Sequence, residues 1–237
     1  KINLGEKKMQ VSNGENVYIG KEAGDSVGAG YGNVAIGAES MKTSGTAGDN
    51  NPLYSVAVGY QALNGITTGD YNVAFGYRAG DAITTGPGNV AIGSNALGAV
   101  IGGDYNVAVG YQSGDALTTG SANVAIGYEA LSTDDVGQYT VAIGAQAAQY
   151  QNIASTGDPG NVAIGWSAGH FNVTGTSNTW VGSKAGYGVS TNSNSNNTGI
   201  GFNALKVITT GDNNVAVGSG AGDALETGTS NVMVGKD

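Results

Sequence analysis

The chain contains no cysteine, one histidine and three prolines among its 237 residues. Without cysteine it can form neither disulfides nor thiolate metal sites, and a lone histidine cannot supply the several imidazoles that zinc sites use. Charged residues make up 11% of the chain, against roughly 25% in an average domain. The formal net charge is −9 with acidic residues scattered singly, so no basic stripe is available to bind nucleic acid.

Long apolar runs and helical apolar spacing are also missing, so we expect an all-β protein with almost no helix and no membrane insertion in this segment. What is abundant is glycine, with 43 residues, and it recurs in phase. An aliphatic-x-aliphatic-Gly tetrad, with Thr at the first place in two copies and Phe at the third place in one, occurs fourteen times, and nine of the thirteen intervals between tetrads are 17 residues. The clean copies, such as the one that begins at Val90, read Asn-Val-Ala-Ile-Gly.

A fixed period of this size indicates a solenoid, in which each coil buries its apolar face only by stacking on its neighbours. We therefore expect a parallel β-solenoid of about 14 short coils that forms a single domain over residues 1–237. The first and last tetrads lie at the two ends of the chain, which favours an excerpt of a longer fibrous chain.

The large-small-large alternation within each tetrad predicts a strand whose successive side chains point to opposite faces. We number the first tetrad residue as position 0. The expectation is that the large residues at 0 and +2 point into the coil, joined by Ala or Ser at +6 and an aliphatic on a second, returning strand at +10. Ala at +1 would then face outward and let another chain approach closely. The predicted axis of a homotrimer is Ala74, Ala91, Ala108 and Ala125.

Two further positions predict structural columns. Position +3 is Gly in every copy, where the strand must end and the chain must bend, and only Gly takes a positive φ there without steric strain. Asn precedes the tetrad in eleven of the fourteen copies, and equivalent amides ~4.8 Å apart can hydrogen-bond from coil to coil. These predicted columns include Gly76, Gly93, Gly110 and Gly127, and Asn72, Asn89, Asn106 and Asn123.

With these residues in place, Asn-Val-Ala-Ile-Gly followed by Ala or Ser three residues later resembles the YadA-like head repeat of trimeric autotransporter adhesins. Similar repeats occur in phage tail fibre shafts. The resemblance covers essentially the whole chain and implies a left-handed, homotrimeric parallel β-roll that is extracellular, on a cell surface or on a virion. The period of 17 is longer than is usual in the adhesins, and Asn here touches Val directly, which favours a phage-type fibre.

Surface features suggest where partners bind. Extra residues lengthen three coils at the same phase, within 43–52, 149–158 and 190–197, and they are either a partner site or tolerated bulges. Aromatic residues gather before the Asn and directly after the Gly, where they either contact a cell-surface glycan or protein receptor, or pack at a strand edge or subunit seam. The candidate surface-binding residues are Tyr60, Tyr77, Tyr111, Tyr128 and Trp166.

Catalytic patterns are missing. His170 lies in no activated-nucleophile sequence, and the Gly-rich segment at 218–222 lacks the lysine of a phosphate-binding loop, so we expect no enzyme activity and no cofactor. Calcium binding at turn carboxylates remains open, although capping of the turns is the simpler interpretation. The carboxylates in question are Asp25, Asp81, Asp115, Asp134, Asp135 and Asp223.

The function expected from the sequence is a non-enzymatic fibre or adhesin segment that displays or forms a host- or surface-binding element. The alternative is an ice- or surface-binding solenoid, because such proteins stack short coils into flat threonine faces. The threonine column is interrupted here, since Thr84-Thr85 and Thr118-Thr119 flank a coil that has Gly102-Gly103. An enzyme carried on a solenoid ranks third.

Overall fold

A computed structural model describes residues 8–11, 15–25, 27–43, 51–153, 160–189 and 192–237. The chain divides into two compact units, Lys1–Thr119 and Gly120–Asp237. Both are parallel β-solenoids with a period of about 17 residues, and together they make about 12–13 turns. The predicted all-β class, parallel solenoid and period are confirmed. The first predicted tetrad, at residues 2–5, lies outside the described residues.

In the first unit, β1 pairs antiparallel with β2, and every later strand pairs in parallel with the one before it. The register follows the repeat, because Val73, Ala74 and Phe75 pair with Val90, Ala91 and Ile92. The strands are β1 (Lys8–Val11), β2 (Val17–Gly20), β3 (Val34–Ile36), β4 (Val56–Val58), β5 (Val73–Phe75), β6 (Val90–Ile92) and β7 (Val107–Val109).

The second unit is built in the same way from seven parallel strands, each three residues long. Its register keeps equivalent tetrad positions opposite each other even across the longer coil between Ile143 and Val162. The strands are β8 (Val124–Ile126), β9 (Val141–Ile143), β10 (Val162–Ile164), β11 (Thr179–Val181), β12 (Thr198–Ile200), β13 (Val215–Val217) and β14 (Val232–Val234).

The predicted returning strand is wrong, because in the complete described coils the chain beyond the tetrad runs through turns, bends and irregular segments, with one isolated bridge between Asn172 and Asn192. Left-handed backbone explains this. Residues with φ near +50° to +60° stand at +5, as in Arg78 and Asn95, at +7, as in Leu63 and Leu97, and two residues before the tetrad, as in Tyr71. A residue in this region bends the chain and cannot continue a strand.

The assignment of the two strand faces is also wrong. The Ala side chains at +1 are buried inside the coil, whereas the large residues at 0 and +2 point outward and are half-buried or exposed. The interior is closely packed around them, because an added Cβ at Gly114 would lie 3.0 Å from Leu97 Cδ2, 3.2 Å from Leu117 Cδ1 and 3.8 Å from Ala108 Cβ. A trimer axis cannot run along residues that face the interior of their own chain: Ala74, Ala91, Ala108 and Ala125.

Large and small residues compensate one another inside the second unit. Trp180 takes the +1 place that Ala holds in most coils, and its side chain is 1% exposed. Three glycines make room for the indole, since a Cβ at Gly169 or Gly199 would come within 2.7–2.8 Å of it and one at Gly186 would overlap it. The core therefore keeps its packing density because a large side chain in one coil is matched by glycines in the same and in the neighbouring coils.

Candidate functional site

The Asn column forms a hydrogen-bond ladder in the interior of the first unit. The side-chain oxygen of Asn89 accepts bonds from the backbone N–H of Asn106 at 2.9 Å and from its side-chain amide at 3.1 Å. The amide of Asn89 in turn donates to the carbonyl of Gly103 at 2.8 Å, across the corner that closes the same coil. Each Asn therefore ties two coils together and also holds its own coil closed.

The same ladder recurs in the second unit. Asn123 accepts from the N–H of Thr140 at 2.9 Å and donates to the carbonyl of Gly137 at 2.8 Å. All four of the Asn side chains named from the sequence are at most 1% exposed. Their polar atoms point into the protein, so the column stabilises the fold and offers no surface to a ligand. The ladder continues through Asn161, Asn178, Asn197, Asn214 and Asn231.

Replacing Asn89 with Ala should lower the free energy of unfolding by about 2–4 kcal/mol, because it leaves the N–H of Asn106 and the carbonyl of Gly103 buried without partners. Asn89→Ser should lose less, since Ser55 already fills this column and its hydroxyl accepts from the N–H of Asn72 at 3.0 Å. Urea denaturation followed by circular dichroism measures both. Equal losses for the two variants would contradict the ladder.

The corner glycines also form a column. Gly76, Gly93, Gly110 and Gly127 have φ between +129° and +140°. A Cβ on Gly76 would lie 2.6 Å from the carbonyl oxygen of Gly93 in the next coil. Both the backbone conformation and the close approach of adjacent coils therefore require glycine here.

A largely apolar face lies on the outside of the strands in each unit, interrupted in the second unit by Thr179 and Thr198 at position 0. We call it the aliphatic strand face and define it as the residues at 0 and +2 of β3–β7 and of β8–β13. Its most exposed members reach 36–42%, which is high for large apolar side chains that recur in every coil. In the first unit these include Ile36, Phe75 and Ile92, and in the second Ile164, Ile200 and Val217.

The aromatic residues after the corner Gly are all exposed, between 42% and 56%. Tyr60 and Tyr77 stack on each other with ring centroids 5.6 Å apart and an angle of 18° between the rings. In the column before the Asn, Tyr54 and Tyr71 stack in the same way at 5.5 Å. Within such a ladder each ring covers the face of its neighbour, so mainly ring edges and hydroxyls are presented to solvent. The residues named from the sequence are Tyr60, Tyr77, Tyr111, Tyr128 and Trp166.

His170 is the buried member of an aromatic cluster. Its imidazole stacks on Tyr187 at 5.0 Å and contacts Tyr150 and Phe171 edge-on. Nδ1 lies 3.2 Å from the carbonyl oxygen of Gln146. Burial lowers the pKa of His170, and the bond to the carbonyl of Gln146 partly opposes this shift. Among the described residues no nucleophile is hydrogen-bonded to the imidazole.

Asp134 is the one turn carboxylate among those considered for calcium that the structure buries completely. Its Oδ2 accepts from the side-chain amide of Gln151 at 2.6 Å, and its Oδ1 accepts from the N–H groups of Gly137 and Ile153, both at 3.2 Å. Burial raises the pKa of this carboxyl, and the hydrogen bonds partly oppose the shift. Within the described ranges, no group of three or more His, Cys, Asp or Glu side chains is close enough to hold a metal ion.

The threonine column of the ice-binding alternative directs its hydroxyls at the backbone. Thr67 Oγ1 donates to the carbonyl of Thr84 at 3.0 Å, and Thr84 Oγ1 donates to the carbonyl of Ile101 at 2.9 Å. Of the three lengthened coils, residues 44–50, 154–159 and 190–191 lie outside the described residues, so the insertions stay predictions.

Comparison of the chain with protein-family models, with curated proteins and with solved structures gives no significant match. In the part of the chain that the structure describes, no helix is both long and apolar enough to cross a membrane. The assignment to a functional class therefore depends on the geometry of the coils and on the sequence resemblance.

Proposed function

We propose that the chain is a non-enzymatic segment of an extracellular fibre or adhesin, which assembles as a homotrimer and displays a host- or surface-binding element outside a cell or on a virion. The observation that carries the proposal is the aliphatic strand face. Parallel sheets are nearly always covered on both faces. Here the interior of the coil covers one face, and the other carries exposed valine, isoleucine and phenylalanine.

A second copy of the same chain is the partner that fits this face best. The residues at 0 and +2 recur at the strand spacing of ~4.8 Å, and both are apolar in every strand of β3–β13 except β11 and β12, which have Thr179 and Thr198 at 0. Another copy in the same direction presents an identical row at an identical spacing, so the two rows match over several coils without any special sequence. A closed cyclic assembly of identical chains brings equivalent rows together around one axis. The choice of three copies and of a left-handed coil comes from the resemblance to adhesin heads.

The contacts that hold successive coils together support a role as a mechanical display element. The Asn ladder and the Gly corners repeat with the coil, and each links one coil to the next through buried contacts. Such a scaffold holds surface residues at fixed intervals. The acidic net charge of −9 and the aromatic residues beside the corners are then the features that an external partner meets.

Assembly can be tested by changing the aliphatic strand face alone. We expect the 237-residue chain to sediment as a trimer, and the double variant Phe75→Lys/Ile92→Lys to sediment as a folded monomer, because charges would be placed where chains meet. Analytical ultracentrifugation measures the mass, and circular dichroism shows whether the fold is retained. Gln112→Lys is the matched control, because it adds a charge at +5, beyond the corner, and should remain trimeric.

A chain that is monomeric at all concentrations would contradict the proposed assembly. A double variant that remains trimeric would also contradict it, because the contact surface would then lie elsewhere.

A further inference from the structure

One coil of the first unit lacks side chains that its neighbours have. In the coil that begins at Val90, position +4 is Ser94, whereas the flanking coils have Tyr77 and Tyr111 there. Position +8 is Gly98, whereas the flanking coils have Asp81 and Asp115. No other coil from the one at Val17 to the one at Val215 has glycine at +8.

The register shows that these positions lie over one another. The N–H of Asn95 donates to the carbonyl of Tyr77 at 3.0 Å, and the N–H of Gln112 donates to the carbonyl of Ser94 at 3.0 Å. Tyr77, Ser94 and Tyr111 therefore occupy successive levels of one column. Tyr77 and Tyr111 are two levels apart, or about 9–10 Å at the strand spacing, with no aromatic ring of the column between them.

The ring of Tyr77 is already oriented for stacking. Tyr60 stacks on one face of the Tyr77 ring, with 18° between the rings. The opposite ring face is therefore turned toward the level of Ser94. Two rings about 9–10 Å apart leave space for one flat ring between them at van der Waals distances of about 3.5–4 Å on each side.

A polar groove of about 250 Å³ is lined by the residues that directly follow the three column positions in the chain. Gly98 lies in the middle of the groove, and the side chains around it carry a guanidinium, two carboxylates and two amides. The groove is lined by Arg78, Asp81, Asn95, Gly98, Gln112 and Asp115. Arg78 Nε donates to Asp81 Oδ2 at 2.6 Å, which holds both planar groups in place.

The backbone at position 98 does not require glycine, so the effect of Gly98 is to leave the groove without a side chain. Gly98 is not among the glycines with positive φ. A Cβ at this position would have the carbonyl oxygen of Asn95 as its nearest heavy atom at 3.3 Å, which a small adjustment relieves. The backbone thus accepts a side chain at 98, as it does at the same position in the other coils, and the sequence leaves it out.

We infer that this gap and groove form a binding site for one neutral pyranose unit of a surface glycan. Aromatic rings stack on the apolar face of a pyranose, while carboxylates, amides and guanidinium groups bind its hydroxyls as acceptors and donors. Asp81 and Asp115 on a chain of net charge −9 disfavour acidic sugars. The inference deepens the proposed function, because it names the ligand class for the display element and places it on one coil.

Saturation-transfer NMR with methyl β-D-glucopyranoside, methyl β-D-galactopyranoside and methyl N-acetyl-β-D-glucosaminide tests the site, with N-acetylneuraminic acid as the acidic comparison. We expect transfer to at least one neutral glycoside, with a dissociation constant on the order of 1–10 mM for a single sugar. Two variants restore the missing side chains. Ser94→Tyr refills the aromatic column, and Gly98→Gln inserts the residue that another coil carries as Gln149.

Each variant should weaken binding at least about tenfold. The matched controls introduce the same residues at the same positions in the second unit, Ser219→Tyr and Ser132→Gln, and should bind as the unchanged chain does. Absence of transfer from all three neutral glycosides, unchanged binding in both Ser94→Tyr and Gly98→Gln, or a preference for N-acetylneuraminic acid would overturn the inference.

Sedimentation of the same samples separates this inference from the proposed assembly. A trimer that binds none of the three glycosides contradicts the sugar site alone. A monomer that binds them supports the site and contradicts the trimer.

Discussion

Replacing Trp180 with Ala should lower the free energy of unfolding by about 3–5 kcal/mol. The indole is 1% exposed and lies against Gly169, Gly186 and Gly199. None of these three glycines has a side chain that could move into the vacated space, so the cavity stays open and the loss falls in the upper part of the range for large-to-small core changes. Urea denaturation followed by circular dichroism measures the change.

Trp166→Ala is the matched control, because it removes the same side chain from a surface position in the same unit. Trp166 is 52% exposed, and the ammonium of Lys184 lies 4.6 Å from the centroid of its ring. The change should be at most about 1 kcal/mol. Comparable losses for the two variants would show that the second unit does not depend on this exchange of volume.

The second large effect is expected at a corner. Gly76→Ala should destabilise the chain by at least about 3 kcal/mol, since φ is +140° and the new Cβ would approach the carbonyl oxygen of Gly93 to 2.6 Å. Neither the strained backbone nor the overlap can be relieved without separating the two coils. Thermal and urea unfolding both report the loss.

Gly102→Ala controls for the loss of glycine itself. Gly102 has no positive φ, and the nearest atom to an added Cβ is Thr85 Oγ1 at 3.4 Å. The effect should lie within about 1 kcal/mol of zero, because alanine also restricts the unfolded chain. If Gly76→Ala is as stable as Gly102→Ala, then neither the positive φ nor the close approach of the next coil explains why position +3 is always glycine.

The sequence was sufficient for the features that depend on period. The strand positions, the in-register pairing of Val73 with Val90, and the corner at Gly76 all follow from one tetrad spaced every 17 residues. The Asn column was also readable, because an amide that recurs at the strand spacing has an obvious partner in the next coil. Repetition made each of these signals independent of the details of any single copy.

What failed was the choice between the two faces of the strand. Alternation separates Ala91 from Val90 and Ile92 but does not say which side is inside. The usual rule that larger apolar residues are buried gave the wrong answer, since Leu97 and Val100 had already filled the interior of that coil. Leu97 reaches the interior through a left-handed backbone, with φ of +50°, and a leucine gives no sequence signal of this conformation.

The candidate sugar site was half visible from the sequence. The exposed tyrosines were identified, but as a uniform ridge, and a uniform ridge covers its own ring faces. The informative positions were Ser94 and Gly98, where the repeat lacks its usual residues. Recognising them required knowing that the residues at +5 and +8 of adjacent coils line one groove, which the strand alternation does not show.

The spacing of the ladder hydrogen bonds has a further consequence for how such a chain can change in length. Asn89 bonds to Asn106 across 17 residues, and Asn197 bonds to Asn178 across 19, with the same pair of contacts. Each of these hydrogen-bonded pairs joins only adjacent copies of the repeat, and its geometry does not depend on the number of residues between the two asparagines. Within a unit, unequal recombination that adds or removes one whole copy leaves every remaining link with an equivalent partner, so such a gene can diversify by copy number while its product keeps folding.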